Sequence, residues 1–307
     1  MIIDIVIPTY KPDETFQKLV DILERQTKPV NRIIVMNTEE KYMEALHIGT
    51  RFLADHKKLS IHHLSRKEFD HGKTRNIGAS KSDADVIVFM TQDALPQDET
   101  LIEKLTAPLS NPEIACAYAR QLPCADATVT ERLTREFNYP DKSRIKTRKD
   151  LEELGIKTYF CSNVCCAYNA QIFRKLKGFV KRTIFNEDMI YAAKAIQNGY
   201  GIAYVAEACV IHSHNYSGKQ QFHRNFDLGV SQAEHPEIFE GISSESEGIR
   251  MVKDTITRLK TAGAAREIPA YIYTTGCKYI GYRMGKMYKH LPNWLVMKCT
   301  MSPLYWK

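Results

Sequence analysis

The sequence predicts an α/β fold, with a mostly parallel sheet covered by helices on both faces and a helical C-terminal extension. Three observations carry this reading. Strand-like and helical patterns alternate four times between residues 2 and 91. The strand runs are continuously apolar, as in strands buried on both faces. From residue 219 onward the pattern turns helical. Alternation of this kind implies right-handed βαβ crossovers.

The elements follow in order. Residues 2–7 (IIDIVI) make the first strand, stopped by Pro8-Thr9. Residues 13–26 carry Phe16, Leu19, Val20, Ile22 and Leu23 at helical spacing. Residues 32–37 (RIIVMN) are a second buried strand, 41–56 a helix, and 59–64 (LSIHHL) a third strand. A helix over 74–82 leads into a fourth strand over 85–91 (DVIVFMT). Residues 100–107 read as a surface helix and 113–121 as another strand. The stretch 122–158 is polar and charged, with loops and short helices expected and one helix near 147–155. Residues 160–179 give a strand and a short helix closed by Gly178. A helix over 186–201 has an acidic start and a Gly199 stop. Residues 202–214 are a strand pair or one bent strand, and 219–262 look helical. The chain thus divides into a main domain at 1–218 and a helical region at 219–307.

The bulk numbers suit a globular protein with a real core. Of 307 residues, 44% are hydrophobic and 26% charged. The formal charge of +7 is a mild bias that fits anionic small ligands or a membrane surface. No nucleic-acid partner is expected. The eight cysteines form no CxxC pair and several lie in apolar runs, which reads as reduced thiols in the cytoplasm. A zinc cluster of Cys161, Cys165 and Cys166 matches no common spacing. The N-terminus enters a strand at once, so no signal peptide is expected. No run of about 18 apolar residues occurs, so no spanning helix is expected either.

In open α/β sheets ligands bind beyond the carboxyl ends of the strands. The segments 8–12, 37–40, 65–72 and 91–96 should therefore share one crevice. Four features there carry chemistry. Asp93 follows the apolar run VIVFM, where a carboxylate can hold a hard divalent ion. A turn aspartate would look the same, because QDALPQDET is turn-like. In FDHGKTRN, Gly72 allows close backbone approach, and Lys73 and Arg75 suit phosphate oxygens, as does the start of the following helix. A solvated basic loop would have similar composition. NED at 186–188 places Glu187 and Asp188 at a helix start, as caps or as a general base for a hydroxyl acceptor. VIHSH puts His212 and His214 on one face of a strand, where the pair can share a metal or a phosphate.

In combination these stretches resemble family-two inverting glycosyltransferases of the GT-A (Rossmann-like) fold. The sequence is most similar to bacterial rhamnosyltransferases that build surface polysaccharides from dTDP-rhamnose. The resemblance spans roughly residues 1–230 and rests on IVIPTYKP (5–12), FDHGKTRN (69–76), FMTQDALP (89–96), FNEDMIYAAKAIQNGYGIAYV (185–205) and VIHSHNYS (210–217). It implies that Pro8, Thr9 and Tyr10 line the base and ribose, and that Asn37 stands where the family has a base-reading aspartate. Arg75 is implied at the diphosphate, and Asp70, His71, Lys73 and Gln92 complete the donor-binding set. Asp93 matches the second aspartate of the family's DxD motif, with Thr91 in place of the first. His212 or His214 completes the shell of Mn²⁺ or Mg²⁺. Asp188, with Glu187 beside it, matches the catalytic base of a single inverting displacement. A UDP-hexose donor is the alternative within the family. A nucleotidyltransferase would carry a Gly-rich loop near the first strand, and a non-catalytic sugar-nucleotide binder would need neither NED nor HSH.

Residues 266–307 hold seven Lys/Arg, one acid (Glu267) and eight aromatics, including Trp294 and Trp306. A helical wheel sets Cys277, Ile280, Met284, Met287, Tyr288 and Leu291 against Lys278, Arg283, Lys286 and Lys289. A basic amphipathic helix with interfacial aromatics suits peripheral contact with the inner face of the cell membrane, near a lipid-linked glycan acceptor. Packing on the main domain, or a homodimer contact through Gly281-x-x-x-Gly285, would use the same pattern.

Overall fold

The computed structural model describes residues 1–46, 50–241 and 245–307. Nine strands form one sheet among the described residues: β1 (Ile3–Tyr10), β2 (Arg32–Thr38), β3 (Leu59–Leu64), β4 (Val86–Met90), β5 (Leu95–Pro96), β6 (Ile114–Leu122), β7 (Arg144–Lys146), β8 (Cys165–Asn169) and β9 (Gly201–Ile211). Their order is β3-β2-β1-β4-β8-β6-β9-β5, with β7 also on β9. β1–β4, β6 and β9 run in one direction, whereas β8, β5 and β7 oppose them. The parallel half is the part that alternation foretold. The second half is mixed, because β8 enters between β4 and β6.

Side-chain alternation loads the two faces of the sheet separately. Ile3, Ile5 and Ile7 pack with Phe16, Leu19 and Leu23 of helix Glu14–Glu24 on one face. Val6, Ile87 and Phe89 pack with Tyr168, Phe173, Phe179 and Tyr191 on the other. The adjacent Cys165 and Cys166 accordingly serve opposite cores.

Several elements depart from the sequence reading. The 41–56 helix is two helices, Lys41–Glu44 and Thr50–Asp55, and residues 47–49 lie outside the described residues. The 219–262 segment is Gly218–Glu234, Pro236–Phe239 and Glu245–Thr261, with 242–244 outside the described residues. Pro236 separates the first two because it supplies no N–H to the preceding helix. Helix His71–Ser80 starts three residues earlier than its periodicity suggested, because Asp70 caps it. In the stretch 122–158, where the sequence predicts loops and short helices, a ten-residue helix occupies Val129–Asn138. It is polar overall and buries no side chain fully. Its local support is the Thr128 cap and the 2.7 Å Glu131–Arg135 pair. β9 is a single strand that bulges between Val205 and Cys209.

The C-terminal extension crosses over itself. Helices Gly218–Glu234 and Ile268–Lys286 pack so closely that a Cβ on Gly281 would strike the Phe222 carbonyl, and one on Gly285 the Phe226 carbonyl. The glycine pair is thus consumed within the chain and is not available as a dimer contact. A third core of Ile184, Phe226, Val230, Val296 and Cys299 fastens the extension to the loop that precedes helix Glu187–Gln197 of the main domain, with Met284, Tyr288 and Leu291 packed against it. Ile280 and Met287, on the same side of the predicted wheel, face outward instead. Gly285→Ala meets backbone rather than a yielding side chain, so it is expected to destabilise the fold by about 2 kcal/mol. A thermal midpoint equal to that of the parent would contradict this crossing.

Candidate active site

β1, β2, β4, β6 and β9 all end on one edge of the sheet, and β8 begins there. The flagged residues gather along that edge in three groups.

The first surrounds Tyr10. Thr9 is buried, and its hydroxyl donates to Asn37 Oδ1 at 3.0 Å. The Asn37 amide donates to the Glu39 carbonyl at 3.1 Å and meets His63 Nδ1 at 2.9 Å, so this side chain is engaged on all sides. Gln92 clamps the Tyr10 backbone: its Oε1 accepts the Tyr10 N–H at 2.9 Å and its Nε2 donates to the Tyr10 carbonyl at 3.1 Å. The ring is left partly exposed beside a cavity of about 260 Å³ shared with Arg66, Phe69, Asp70 and His71, and closed on its far side by residues 301–305. Arg66 lies 5.5 Å from the ring centre. Pro8 is half-buried in the same strand, whereas Lys73 is exposed beside His62 and Glu68, away from this cavity.

The second group is a buried acid–base cluster. Asp70 Oδ1 accepts from the N–H groups of Gly72 and Lys73 at 2.9 and 2.8 Å, and Oδ2 accepts from Thr183 N at 3.0 Å. A side chain at 72 would strike the Val180 carbonyl, which is why glycine stands there. Arg75 is buried, donates to the His71 carbonyl at 3.0 Å, and lies 3.2 Å from Glu187 Oε1. His71 is packed near Phe69 and Phe185, and burial lowers its pKa below the usual imidazole value. Asn163 joins both acids: its N–H donates to Asp188 Oδ2 at 2.9 Å and its Nδ2 to Glu187 Oε1 at 3.1 Å. The two carboxyls part company in consequence. Burial would raise both, but Arg75 holds Glu187 below its ordinary value. Burial and the Glu187 charge push Asp188 up to about 8. Asn186, just before them, sits in the left-handed region at φ 66°, with its amide 3.4 Å from the Ser231 hydroxyl of helix Gly218–Glu234. A non-glycine residue in that conformation marks a functional turn more often than a random one.

The third group is Asp93, His212 and His214. Asp93 Oδ2 lies 3.3 Å from His214 Nε2 and 3.6 Å from His212 Nε2, and the two Nε2 atoms are 3.1 Å apart. His212 Nδ1 meets Gln121 Oε1 at 3.0 Å, and that oxygen also accepts from Arg135. The proton is thereby fixed on Nδ1, and the Nε2 lone pair is turned toward Asp93. Burial lowers the His212 pKa to about 3, so the ring is neutral at working pH. A hydrogen bond with the His214 ring holds the Asp93 carboxyl well below the carboxylate range, against the burial that would raise it. Two imidazole nitrogens and a carboxylate oxygen converging this closely suit a hard or borderline divalent cation, with Gln121 as the outer partner that orients one ligand.

Sequence reasoning missed Asn163, Gln121 and Arg224. The guanidinium of Arg224 lies 4.6 Å from the Phe185 ring and 5.7 Å from the Tyr216 ring. Glutamine at a strand end and asparagine before a strand carry no spacing that would single them out. The cysteines are free, and those whose sulfurs converge are Cys116, Cys161 and Cys166, with Sγ–Sγ distances of 3.9 and 3.4 Å from Cys161. Cys165 is not among them.

A crevice at the end of a Rossmann-like half-sheet, with one carboxylate of raised pKa and one cluster of a carboxylate and two imidazoles, fits a glycosyl-group transferase. The chain belongs to the family-two glycosyltransferases, whose family profile, Glycosyl transferase family 2, matches residues 4–177. It is 41% identical over 310 residues to the O-antigen chain rhamnosyltransferase RfbN of Salmonella typhimurium, covering 100% of this chain and 96% of that one. It is 37% identical to the O-antigen chain rhamnosyltransferase WbaN of Salmonella anatum, covering 98% and 95%. Among solved structures, the fold resembles the mannosyltransferase PcManGT of Pyrobaculum calidifontis in complex with GDP-Man and Mn²⁺ (TM-score 0.62, 12% identity, 94% and 87% of the two chains). It also resembles S. aureus TarS 1–349 in complex with UDP-GlcNAc (TM-score 0.55, 13% identity, 94% and 92%).

Proposed function

We propose that this enzyme transfers L-rhamnose from dTDP-rhamnose to a hydroxyl of a lipid-linked O-antigen glycan, inverting the anomeric centre. The observation that carries the sugar is its likeness, along nearly the whole chain, to two O-antigen chain rhamnosyltransferases. The proposed chemistry assigns roles to the chain's own groups. Tyr10, with Pro8 and Thr9 behind it, seats the nucleoside beside His71, and Gln92 fixes the Tyr10 backbone. Asp188 takes the proton of the acceptor hydroxyl as its oxygen attacks the anomeric carbon. The bond from that carbon to the diphosphate breaks, and dTDP leaves with the electron pair. Glu187 and Arg75 form the buried pair that holds Asp188 in place through Asn163. Asp93, His212 and His214 hold Mn²⁺ or Mg²⁺, which when bound would neutralise charge on the leaving diphosphate.

The division at 218/219 is read as functional: the main domain carries the chemistry and the extension supports it. Ile272, Tyr279, Ile280, Met287 and Trp294 are exposed on the extension, with Arg283, Lys286 and Lys289 exposed nearby. We read this surface as a peripheral contact with the inner leaflet, where a lipid-linked acceptor would lie. No helix among the described residues is long and apolar enough to cross a membrane.

The test is nucleotide release from dTDP-rhamnose, UDP-glucose, UDP-galactose and GDP-mannose, each with Mn²⁺ or Mg²⁺ and a rhamnose-acceptor glycan. Release is expected with dTDP-rhamnose at least about tenfold above the others, a difference of about 1.4 kcal/mol in transition-state binding. Preference for a UDP-hexose would replace the donor assignment.

A further inference from the structure

The donor's diphosphate needs a positive charge within reach, and the sequence offers Arg75 for it. The structure places Arg75 elsewhere. Its side chain is 7% exposed and lies 3.2 Å from Glu187, whose side chain is equally buried. Turning Arg75 toward a phosphate would leave the Glu187 carboxylate buried without its partner, which is strongly unfavourable.

Arg224 has the opposite character. It comes from helix Gly218–Glu234, is half-buried, and has no acidic partner among the described residues. Its guanidinium lies between two aromatic rings, Phe185 at 4.6 Å and Tyr216 at 5.7 Å. Each ring leads to one half of the site. Phe185 meets His71 of the donor loop at 6.5 Å, and Tyr216 meets His214 of the cation cluster at 5.1 Å. The Arg224 charge is felt at the donor end, where it adds to the burial that lowers the pKa of His71. A guanidinium held by ring faces keeps its in-plane N–H groups free for oxygen acceptors. The gap it spans, between the nucleoside side and the cation cluster, is where a diphosphate joining the two would run.

We propose that Arg224 is the residue that grips the donor's diphosphate and stabilises the negative charge on it as the anomeric carbon–oxygen bond breaks. The inference rests on the donor reading above, in which a nucleoside diphosphate occupies this crevice. It makes the C-terminal extension a contributor to the active site.

The test compares dTDP and thymidine binding to the full chain by calorimetry, with and without Mn²⁺, for the parent, Arg224→Gln and Arg224→Lys. Loss of a charge-assisted contact should weaken dTDP binding by roughly 10- to 100-fold in Arg224→Gln. Thymidine binding should be unchanged, and Arg224→Lys should fall between. With dTDP-rhamnose as substrate, kcat should fall together with the rise in donor KM. Unchanged dTDP affinity in Arg224→Gln, or an equal loss for dTDP and thymidine, overturns the assignment to Arg224. Failure of the parent to bind dTDP at all would overturn the donor reading and this inference together. Unchanged thermal midpoints separate either result from misfolding.

Discussion

Asp188→Asn is expected to lower the transfer rate by about 10³-fold, the middle of the range for a positioned general base, with dTDP binding retained. The carboxylate is the form that accepts the proton, so activity must follow its ionisation. Burial and the Glu187 charge push that ionisation up to about 8. The kcat/KM profile should therefore rise with pH and level off above about 8. Glu187→Gln removes one of the charges opposing ionisation, so its rising limb should lie at lower pH. The sign for stability is opposite to that of an ordinary salt-bridged acid. A raised folded-state pKa means the native protein holds the proton more tightly than the unfolded chain, so stability is lost as pH climbs from the usual carboxylate range toward 8. Asparagine has no such ionisation and can still accept the Asn163 N–H. The variant should be dead yet at least as heat-resistant as the parent at pH 8. Retained turnover, or inactivity accompanied by a fallen melting point, would reject Asp188 as the base.

Asp93→Asn should cut turnover by about 10²- to 10³-fold, the several kcal/mol a bound cation contributes to leaving-group charge. Chelation of the parent should reproduce the loss, and Mn²⁺ should restore the parent alone. Because Asp93 is 39% exposed, its replacement should not unfold the protein. Mn²⁺ electron paramagnetic resonance reads binding directly. Tight Mn²⁺ binding by the variant would move the cation away from the Asp93–His212–His214 cluster.

The parallel half-sheet was legible because its strands are buried on both faces and so written in unbroken apolar residues, as in VIVFM. The place of β8 was not legible, since an antiparallel insertion between β4 and β6 depends on partners far apart in sequence. The site shows the same split. Asp93, His212 and His214 stand at strand ends, and the structure brings them within bonding reach of one cation. Asp70 and Arg75 were visible as charges, and the Asp70 cap is local, but the bond from Thr183 to Asp70 and the pairing of Arg75 with Glu187 are set by tertiary neighbours. Asn163 and Arg224 carry no sequence pattern, and only the folded geometry brings them to the site. The basic aromatic tail was legible as amphipathic, but its glycines mark where two helices of the same chain touch.

The insertion of β8 also bears on how the chain reaches its native state. β4 pairs with β1 early in sequence, yet its other edge is covered only by a strand beginning at Cys165. Until then Val86–Met90, five buried apolar residues, presents an open row of backbone donors and acceptors. During synthesis or refolding that edge is open to pairing with another molecule. Slower production at reduced temperature, or chaperone capture of the half-made sheet, would favour the correct partner.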